Sequence, residues 1–438
     1  MKIRKSTLFN IMYIIYITNC ALSESQYSKF PAVDTVLFII RILVLVYFAF
    51  YLIRGKKKKV QVCILSLSIC FLVLNILAFN GAIGLLLVIL AVFCTQHQDL
   101  KTIITNTVYP MICVYLFIYL SYRLGIIEGV VVERWLEIYM WQGSYVRNSM
   151  GFLNANQAPI GFMYILALYI LLRQQNLKLR EVIIFAALNI VIYINCNSRT
   201  PFIMSFLLLF LCYIETIKIK YLGKGTMEKI VVQAFVGIAP FCCIVSFLFS
   251  YLCDGSHKII NFINILSNNR FSSAYLTLKE YGLNLFGFGR IVGTRQDAIL
   301  SNINVDNGYV IMGLQYGLIL LGVVIFMLFL STLEIRKKTN IFIFMALAFI
   351  AIENIFDANL SSYKMIPFYT IFLHKGDRLL EMGTIYRNLR IKRKKIIKIL
   401  WRIKKFDRPI YFLGKSNIDY FKVALAHNNN QGKFKRKG

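Results

Sequence analysis

The sequence is poor in charge and poorer still in acid. Only 16% of its 438 residues are Asp, Glu, Lys or Arg, against about 25% in an average soluble domain. Asp and Glu number 20 against 50 Lys and Arg, leaving a net charge of +30. A basic balance of that size points first to nucleic acid. The 58% of apolar residues and the mean hydropathy of +0.64 argue against it, because a soluble core does not need so many unbroken apolar runs. Other absences narrow the class further. No CxxC pair or Cys/His cluster has zinc spacing. Most of the ten cysteines, such as Cys63, Cys70, Cys113 and the Cys242–Cys243 pair, sit inside apolar runs, where they act as small apolar side chains. No DxD pair, Walker-type loop or internal repeat is present. Alternating strands of about ten residues are missing, which argues against an outer-membrane barrel. Thr18-Asn-Cys20 lacks the small residues of a cleavage site, so the first apolar run reads as an uncleaved span rather than a signal peptide.

What the chain does contain is a series of apolar windows. Twelve recur, at 7–21, 35–53, 60–78, 81–95, 102–121, 156–172, 181–196, 201–216, 230–252, 308–331, 340–358 and 362–373, the fourth and twelfth being short. A helix needs about 20 apolar residues to cross a hydrocarbon core about 30 Å thick. Helices are the spanning option left once barrels are set aside, because backbone amides find no water in lipid. The expected fold is therefore an all-α polytopic membrane protein of about twelve transmembrane helices over residues 1–373, followed by a basic tail, 374–438.

The basic residues orient it. With the N-terminus cytoplasmic, 38 of the 50 fall on inner stretches, 19 of them in the tail, and eleven on outer ones. That is the bias the positive-inside rule demands, and it places both termini in the cytoplasm. Two long extracytoplasmic loops result, about 122–157 and 253–307, and long ordered loops tend to carry function. In the tail, residues 391–408 read as an amphipathic helix. Ile396, Ile399, Leu400, Ile403 and Phe406 share one face, and Lys394, Lys395, Lys398, Arg402 and Lys405 another. Such a helix suits the anionic inner leaflet, or else a docking partner in the cytoplasm.

Polar residues concentrate at the outer side. Arg147, Arg199 and Arg270 converge there among Asn and Ser. Planar guanidinium groups bind phosphate oxygens through two parallel hydrogen bonds, so a lipid carrying phosphates at its head is a fitting ligand. Each arginine also has a plain reading, as a solvated loop charge or, for Arg199 ahead of Pro201, as a snorkelling residue in the first turn of a helix. Arg41 lies inside the second window, about two turns from its outer end, where a cation costs about 2.5–3.5 kcal/mol. It either snorkels or has a role. Glu353 and Asp357 share a helix face and are placed to pair with Arg41 or another arginine, or to carry protons. Of four histidines only His257 is predicted outside, as a candidate base or a solvated side chain. Tyr139, Trp141, Tyr145 and Tyr309 are placed at the outer interface, where they suit sugar stacking or an ordinary aromatic belt.

The order of these motifs resembles a known family. Arg147, then Gly151-Phe-Leu-Asn154-Ala-Asn156 running into a span, is similar to the "R-x-x-x-GF-x-(H/N)-P-N" segment of Wzy-type polysaccharide repeat-unit polymerases. These are the O-antigen and capsule polymerases, related to O-antigen ligases. Asn197-Ser-Arg-Thr200 resembles the family's "SRT". Asn269-Arg270-Phe, Leu285-Phe-Gly-Phe-Gly289, Asp306-Asn-Gly-Tyr309 and Leu314-Gln-Tyr-Gly317 resemble its large outer loop, exit and next span. The likeness covers roughly residues 145–320. Asn154 stands where many members have histidine and Ala155 where many have proline.

The resemblance implies a C-type, lipid-dependent glycosyltransferase of the bacterial cytoplasmic membrane. It would polymerise undecaprenyl-diphosphate-linked oligosaccharides at the outer face by inverting transfer, without metal or cofactor. Donor and acceptor would both be lipid-linked. A flippase and a chain-length regulator would be further partners, besides the membrane lipids under the basic tail, and nucleic acid would not be one. Arg147, Asn154, Asn156, Arg199, Arg270, Asn307 and Tyr309 become the candidate binding residues. Asp306, at the end of the long loop, becomes the first candidate for the base that the acceptor hydroxyl needs, with N-capping of the next helix as its plain alternative. Two other readings stay open: a lipid-oligosaccharide flippase, expected to show broken helices near the midplane, and an O-antigen ligase.

Overall fold

A computed structural model gives the fold and describes residues 5–53, 59–79, 84–138, 141–221, 226–267, 269–289, 305–374, 377 and 379–380. It is mostly helical. The chain opens with α1 (Lys5–Ser23), α2 (Pro31–Ile53), α3 (Lys59–Phe79), α4 (Gly84–Cys94) and α5 (Leu100–Arg123). A hairpin follows, β1 (Val131–Ile138) and β2 (Trp141–Asn148). Then come α6 (Gln157–Arg173), α7 (Leu179–Cys196), α8 (Arg199–Tyr221), α9 (Thr226–Ala234) and α10 (Ile238–Tyr251). The second long loop holds α11 (Lys258–Leu266) and α12 (Arg270–Tyr281), and the described chain closes with α13 (Gly308–Lys338), α14 (Ile341–Glu353) and α15 (Ile366–Thr370).

Burial sorts these helices into an interior and a rim. In α6, thirteen side chains from Ala158 to Leu171 are buried, and α4 is buried almost throughout. In α2, Leu37, Val44, Phe48 and Leu52 form one buried stripe at helical spacing, while Val36, Phe38, Ile39, Leu43, Val46 and Phe50 are each more than half exposed. A helix that is apolar all round but buried on one stripe needs an apolar medium on its other faces. The same holds for α7, where Ile183, Ile184 and Ile194 stand out from the bundle. The protein is a multi-pass membrane protein.

Each of the twelve apolar windows falls on helical residues, but they are not alike. Among the described residues six helices are long and apolar enough to cross a membrane, and a seventh if α9 and α10, bent by 49° at their junction, form one span. By contrast α4 has eleven residues, about 16 Å at 1.5 Å per residue. The last window breaks into α15 and two flanking single turns, Tyr363–Met365 and Ile371–Leu373.

Hydrogen bonds tie the helix junctions into two sets. In one, Leu153 donates its N–H to Glu24 O (2.9 Å), Ser198 Oγ bonds Asn156 Oδ1 (3.0 Å), Gly308 N–H bonds Asn354 O (2.9 Å) and Lys364 Nζ reaches Glu24 Oε1 (2.7 Å). These join α1–α2, β2–α6, α7–α8, the entry of α13 and the exit of α14. In the other, His374 Nε2 lies 2.9 Å from Gln98 O, Leu100 N–H bonds Asp377 Oδ2 (2.6 Å), Gln174 Nε2 bonds Leu379 O (2.8 Å) and Asn340 Nδ2 bonds Gln174 Oε1 (3.2 Å). These join α4–α5, α6–α7, α13–α14 and the exit of α15. The two sets are what up-and-down helices require at opposite ends.

The mostly helical framework agrees with an all-α polytopic membrane protein. It carries one addition in the first long loop: β1 and β2 pair antiparallel from Val131↔Asn148 to Ile138↔Trp141. Val131, Val132 and Val146 are exposed, while Arg147 near the end of β2 is buried and bonds Cys196 O at the end of α7. The first compact unit is Met1–Gly383, and past residue 373 Asp377, Leu379 and Leu380 bond back to Leu100, Gln174 and Asn340. The second unit, Thr384–Gly438, with the amphipathic helix expected over 391–408, lies outside the described residues, as does Tyr139.

Candidate functional site

The first bonded end encloses a cavity of about 790 Å³. Its wall draws on many segments: Cys20 of α1, Glu24 of the α1–α2 turn, Phe38 and Arg41 of α2, Leu87 of α4, Asn154 and Asn156 before α6 and Gln157 at its start, and Gly289. It also draws on Asp306, on Gln315 and Tyr316 of α13, and on Asp357, Asn359 and Lys364 after α14.

Asn156 is a junction. Its Oδ1 accepts from Arg147 Nη2 (2.5 Å) and from Ser198 Oγ (3.0 Å), while Arg147 Nε donates to Cys196 O (2.9 Å). Asn197 takes a left-handed conformation, φ 45°, that ends α7 and turns Ser198 toward Asn156. Arg147 is 6% exposed and is absent from the cavity wall: it holds Asn156, which is on the wall. The neighbouring Gly151 has φ +88° and packs so closely on Tyr122 and Ile127 that a side chain would collide. Its carbonyl accepts from Gln26 N–H, so the Gly-Phe step docks this loop on the α1–α2 turn. Asn154 is exposed at the cavity, its Oδ1 accepting from Asn156 and Gln157 N–H as α6 begins.

The second expected arginine behaves alike. Asn264 Oδ1 accepts from Phe271 and Ser272 N–H, fixing the start of α12. There Arg270, 7% exposed, places Nη1 2.9 Å from Asp357 Oδ2 and Nε 3.9 Å from Asp306 Oδ2. Burial works to lower its pKa, but the Asp357, Asp306 and Glu353 carboxyls outweigh it and push the guanidinium above its ordinary value. Arg270 therefore stays charged behind two wall carboxylates. Arg199 is the first residue of α8, partly exposed, and is not on the wall. The three arginines thus do not form a cluster facing a ligand.

The Asp306–Tyr309 run divides its work. Asn307, not Asp306, caps α13: its Oδ1 accepts from Val310 N–H (3.2 Å) and Ser246 Oγ (2.5 Å), and it is fully enclosed. Tyr309 is equally enclosed and donates its hydroxyl to Ala351 O (2.8 Å). Asn307 and Tyr309, expected to bind substrate, are both enclosed at the start of α13: Tyr309 closes on Ala351 O and Asn307 Oδ1 caps the helix, while the buried Asn307 Nδ2 has no hydrogen-bond partner among the described residues. Asp306 is left on the wall with its side chain 35% exposed. His257, exposed ahead of α11, is not on the wall. Of the aromatic group, Trp141 and Tyr145 fall in β2, opposite Ile138 and Arg134.

The Leu285–Gly289 motif has a structural task. α13 breaks at Gly317, φ +87°. Across the break, Phe288 and Gly289 N–H donate to Leu314 and Gln315 O (2.8 and 3.0 Å), and Leu318 N–H donates to Asn284 O (3.0 Å). The motif thus satisfies backbone groups that an interrupted helix exposes, as buried irregular backbone in a membrane protein requires. Gly287 and Gly317 meet backbone to backbone, which no Cβ would permit on either. The unwound turn turns Gln315 and Tyr316 to the cavity.

Sequence reasoning passed over Glu24 and Lys364 and left Arg41 open. All three are on the wall. For Arg41 and Lys364 the signal was legible, since an ionisable residue inside an apolar window marks function more often than a loop charge does; Glu24 lies between two windows and carried no such mark. Among the described residues no three His, Cys, Asp or Glu side chains group as a metal ion would need. Comparison of the chain with known protein families, with characterised proteins and with solved structures finds no match.

Proposed function

We propose that this chain polymerises lipid-diphosphate-linked oligosaccharide repeat units in the bacterial cytoplasmic membrane, with twelve spans, both termini in the cytoplasm and the cavity at the outer face. One observation carries the reading. The cavity wall gathers Asn154, Asn156, Gln157, Gly289, Asp306, Gln315 and Tyr316. These come from four of the separate stretches on which the resemblance to repeat-unit polymerases rests, and a carboxylate stands among them.

In the proposed step, Asp306 accepts the proton of the acceptor sugar hydroxyl as that oxygen attacks the donor's anomeric carbon. The new C–O bond forms as the bond from that carbon to the diphosphate oxygen breaks, inverting the centre. The departing diphosphate carries away the electron pair and needs cationic partners within the cavity. Arg270 fixes the carboxylate wall, and Arg147 fixes Asn156 on the opposite approach.

A flippase is the second reading, favoured by the break in α13, since interrupted helices are a transporter device. Deleting the gene and sizing the surface glycan separates the two. Polymerase function predicts loss of polymer with single repeats still reaching the outer leaflet. Single repeats held at the cytoplasmic leaflet would replace it with the flippase.

A further inference from the structure

We propose that Arg41 is the anion-binding residue of the cavity, holding the phosphate-bearing headgroup of a lipid whose chain lies between α2 and α4. Charge bookkeeping around the wall singles it out. Lys364, 1% exposed, is matched by Glu24 at 2.7 Å, and Asp357 is matched by Arg270 at 2.9 Å. Arg41 makes no ion pair among the described residues. It is nonetheless held in place: its Nε donates to Asn19 Oδ1 (3.2 Å), and the buried Asn19 is itself fixed by donating to Leu37 O (2.9 Å). One edge of the guanidinium is thus oriented, and the remaining fork has the geometry that binds phosphate oxygens in pairs. A cation ten residues into α2, about 15 Å along it and two turns past Asp34, the one acid of that helix, with which it makes no ion pair, is too costly to keep without a counter-charge.

The surroundings say what kind of anion. Phe38 and Ile42 beside Arg41, with Leu87 and Val88 facing from α4, make this side of the wall apolar. Phe38 is 51% exposed on the lipid-facing side of α2, so the apolar strip continues to the outer surface of the bundle. A charged group next to an apolar opening fits a ligand with the same two parts. A volume of about 790 Å³ holds a diphosphate with sugars attached, leaving the lipid chain along the helices. That this lipid is the glycosyl donor rests on the polymerase reading; the binding of a phosphorylated lipid does not.

The test uses the full chain in nanodiscs with undecaprenyl diphosphate as probe, and undecaprenol and inorganic diphosphate as comparators. Arg41→Gln should weaken undecaprenyl diphosphate binding about tenfold or more, the affinity equivalent of one charged hydrogen bond. Arg41→Lys should recover part of that, and undecaprenol binding should not change. Wild-type affinity in Arg41→Gln overturns the proposal, and inorganic diphosphate binding as tightly as the lipid overturns the lipid half of it. Should Arg41→Gln fail to fold, Phe38→Trp on the outer surface should weaken lipid binding while leaving inorganic diphosphate binding intact. Equal lipid binding by Phe38→Trp and wild type overturns the entry route. A gene deletion that leaves surface polymer at full length would sink the polymerase reading while the binding result stood.

Discussion

At the end where α4 meets α5 and α13 meets α14, the polar side chains close on backbone groups. Asp377 accepts from Leu100 and Leu379 N–H, Asn340 bonds Leu380 O, and both ring nitrogens of His374 lie near carbonyl oxygens. At the opposite end the charged groups of Glu24, Arg41, Asp306, Asp357 and Lys364 line a common cavity. The two ends draw on the same kinds of residue. They differ in whether side chains are matched by neighbouring backbone or by other side chains around a void. A polar group closed on backbone stiffens a junction. One that lines a cavity is available to a ligand, and its partners decide how much of its charge is left.

That contrast can be broken most sharply at two aspartates. Asp306→Asn should reduce surface polymer to single repeats while the protein still accumulates, since it removes the proton acceptor while Arg270 keeps its nearer partner Asp357. Asp377→Ala at the other end should cost about 1.5–3 kcal/mol of stability, as for a lost charged hydrogen bond, and leave polymer length unchanged. Polymer sizing with a melting measurement reads both, and equal loss of polymer in the two would erase the functional difference between the ends.

A smaller effect is expected within α13. Gly317→Ala forces a side chain into left-handed backbone against Gly287, and should cost roughly 1–3 kcal/mol or more. Gly322, five residues on, has open space around it, and Gly322→Ala should stabilise by about 0.4–1 kcal/mol. Thermal unfolding of the purified variants measures both. Matching shifts would mean that the break is not held by the Leu285–Gly289 motif.

The smallest difference concerns two asparagines with similar bonding. Asn156→Ala and Asn340→Ala should each cost about 1–3 kcal/mol, because each leaves buried partners unsatisfied. Only Asn156→Ala should also shorten polymer, since it releases Arg147 and Ser198 at the cavity wall. Shortened polymer in Asn340→Ala would show that general loosening, not the cavity, controls chain length.

Much of the helical framework was legible in the sequence because the demand of lipid is local. Any run of apolar side chains with no polar break must bond its own backbone, and each of the twelve windows carries helix. The hairpin escaped because its paired residues, Val131–Ile138 and Trp141–Asn148, interleave charged and polar side chains with apolar ones, so that no apolar window reports them. The site was half legible. The stretches around Arg147, Arg270 and Asp306 do meet at one end. Their roles were not readable, because an arginine behind a wall and an arginine on it have the same sequence context.

The amino-acid sequence alone determined that this is a membrane protein of many helices, since its apolar runs are too long and too numerous for water. It also determined which residues are costly to place there, Arg41 among them. Only the tertiary structure decided which charges cancel. Ion pairing depends on distances under about 4 Å between segments far apart in the chain, as between Glu24 and Lys364 at 2.7 Å. That pairing leaves Arg41 without an ion pair among the described residues and Asp306 3.9 Å from Arg270, and no local pattern in the chain encodes it.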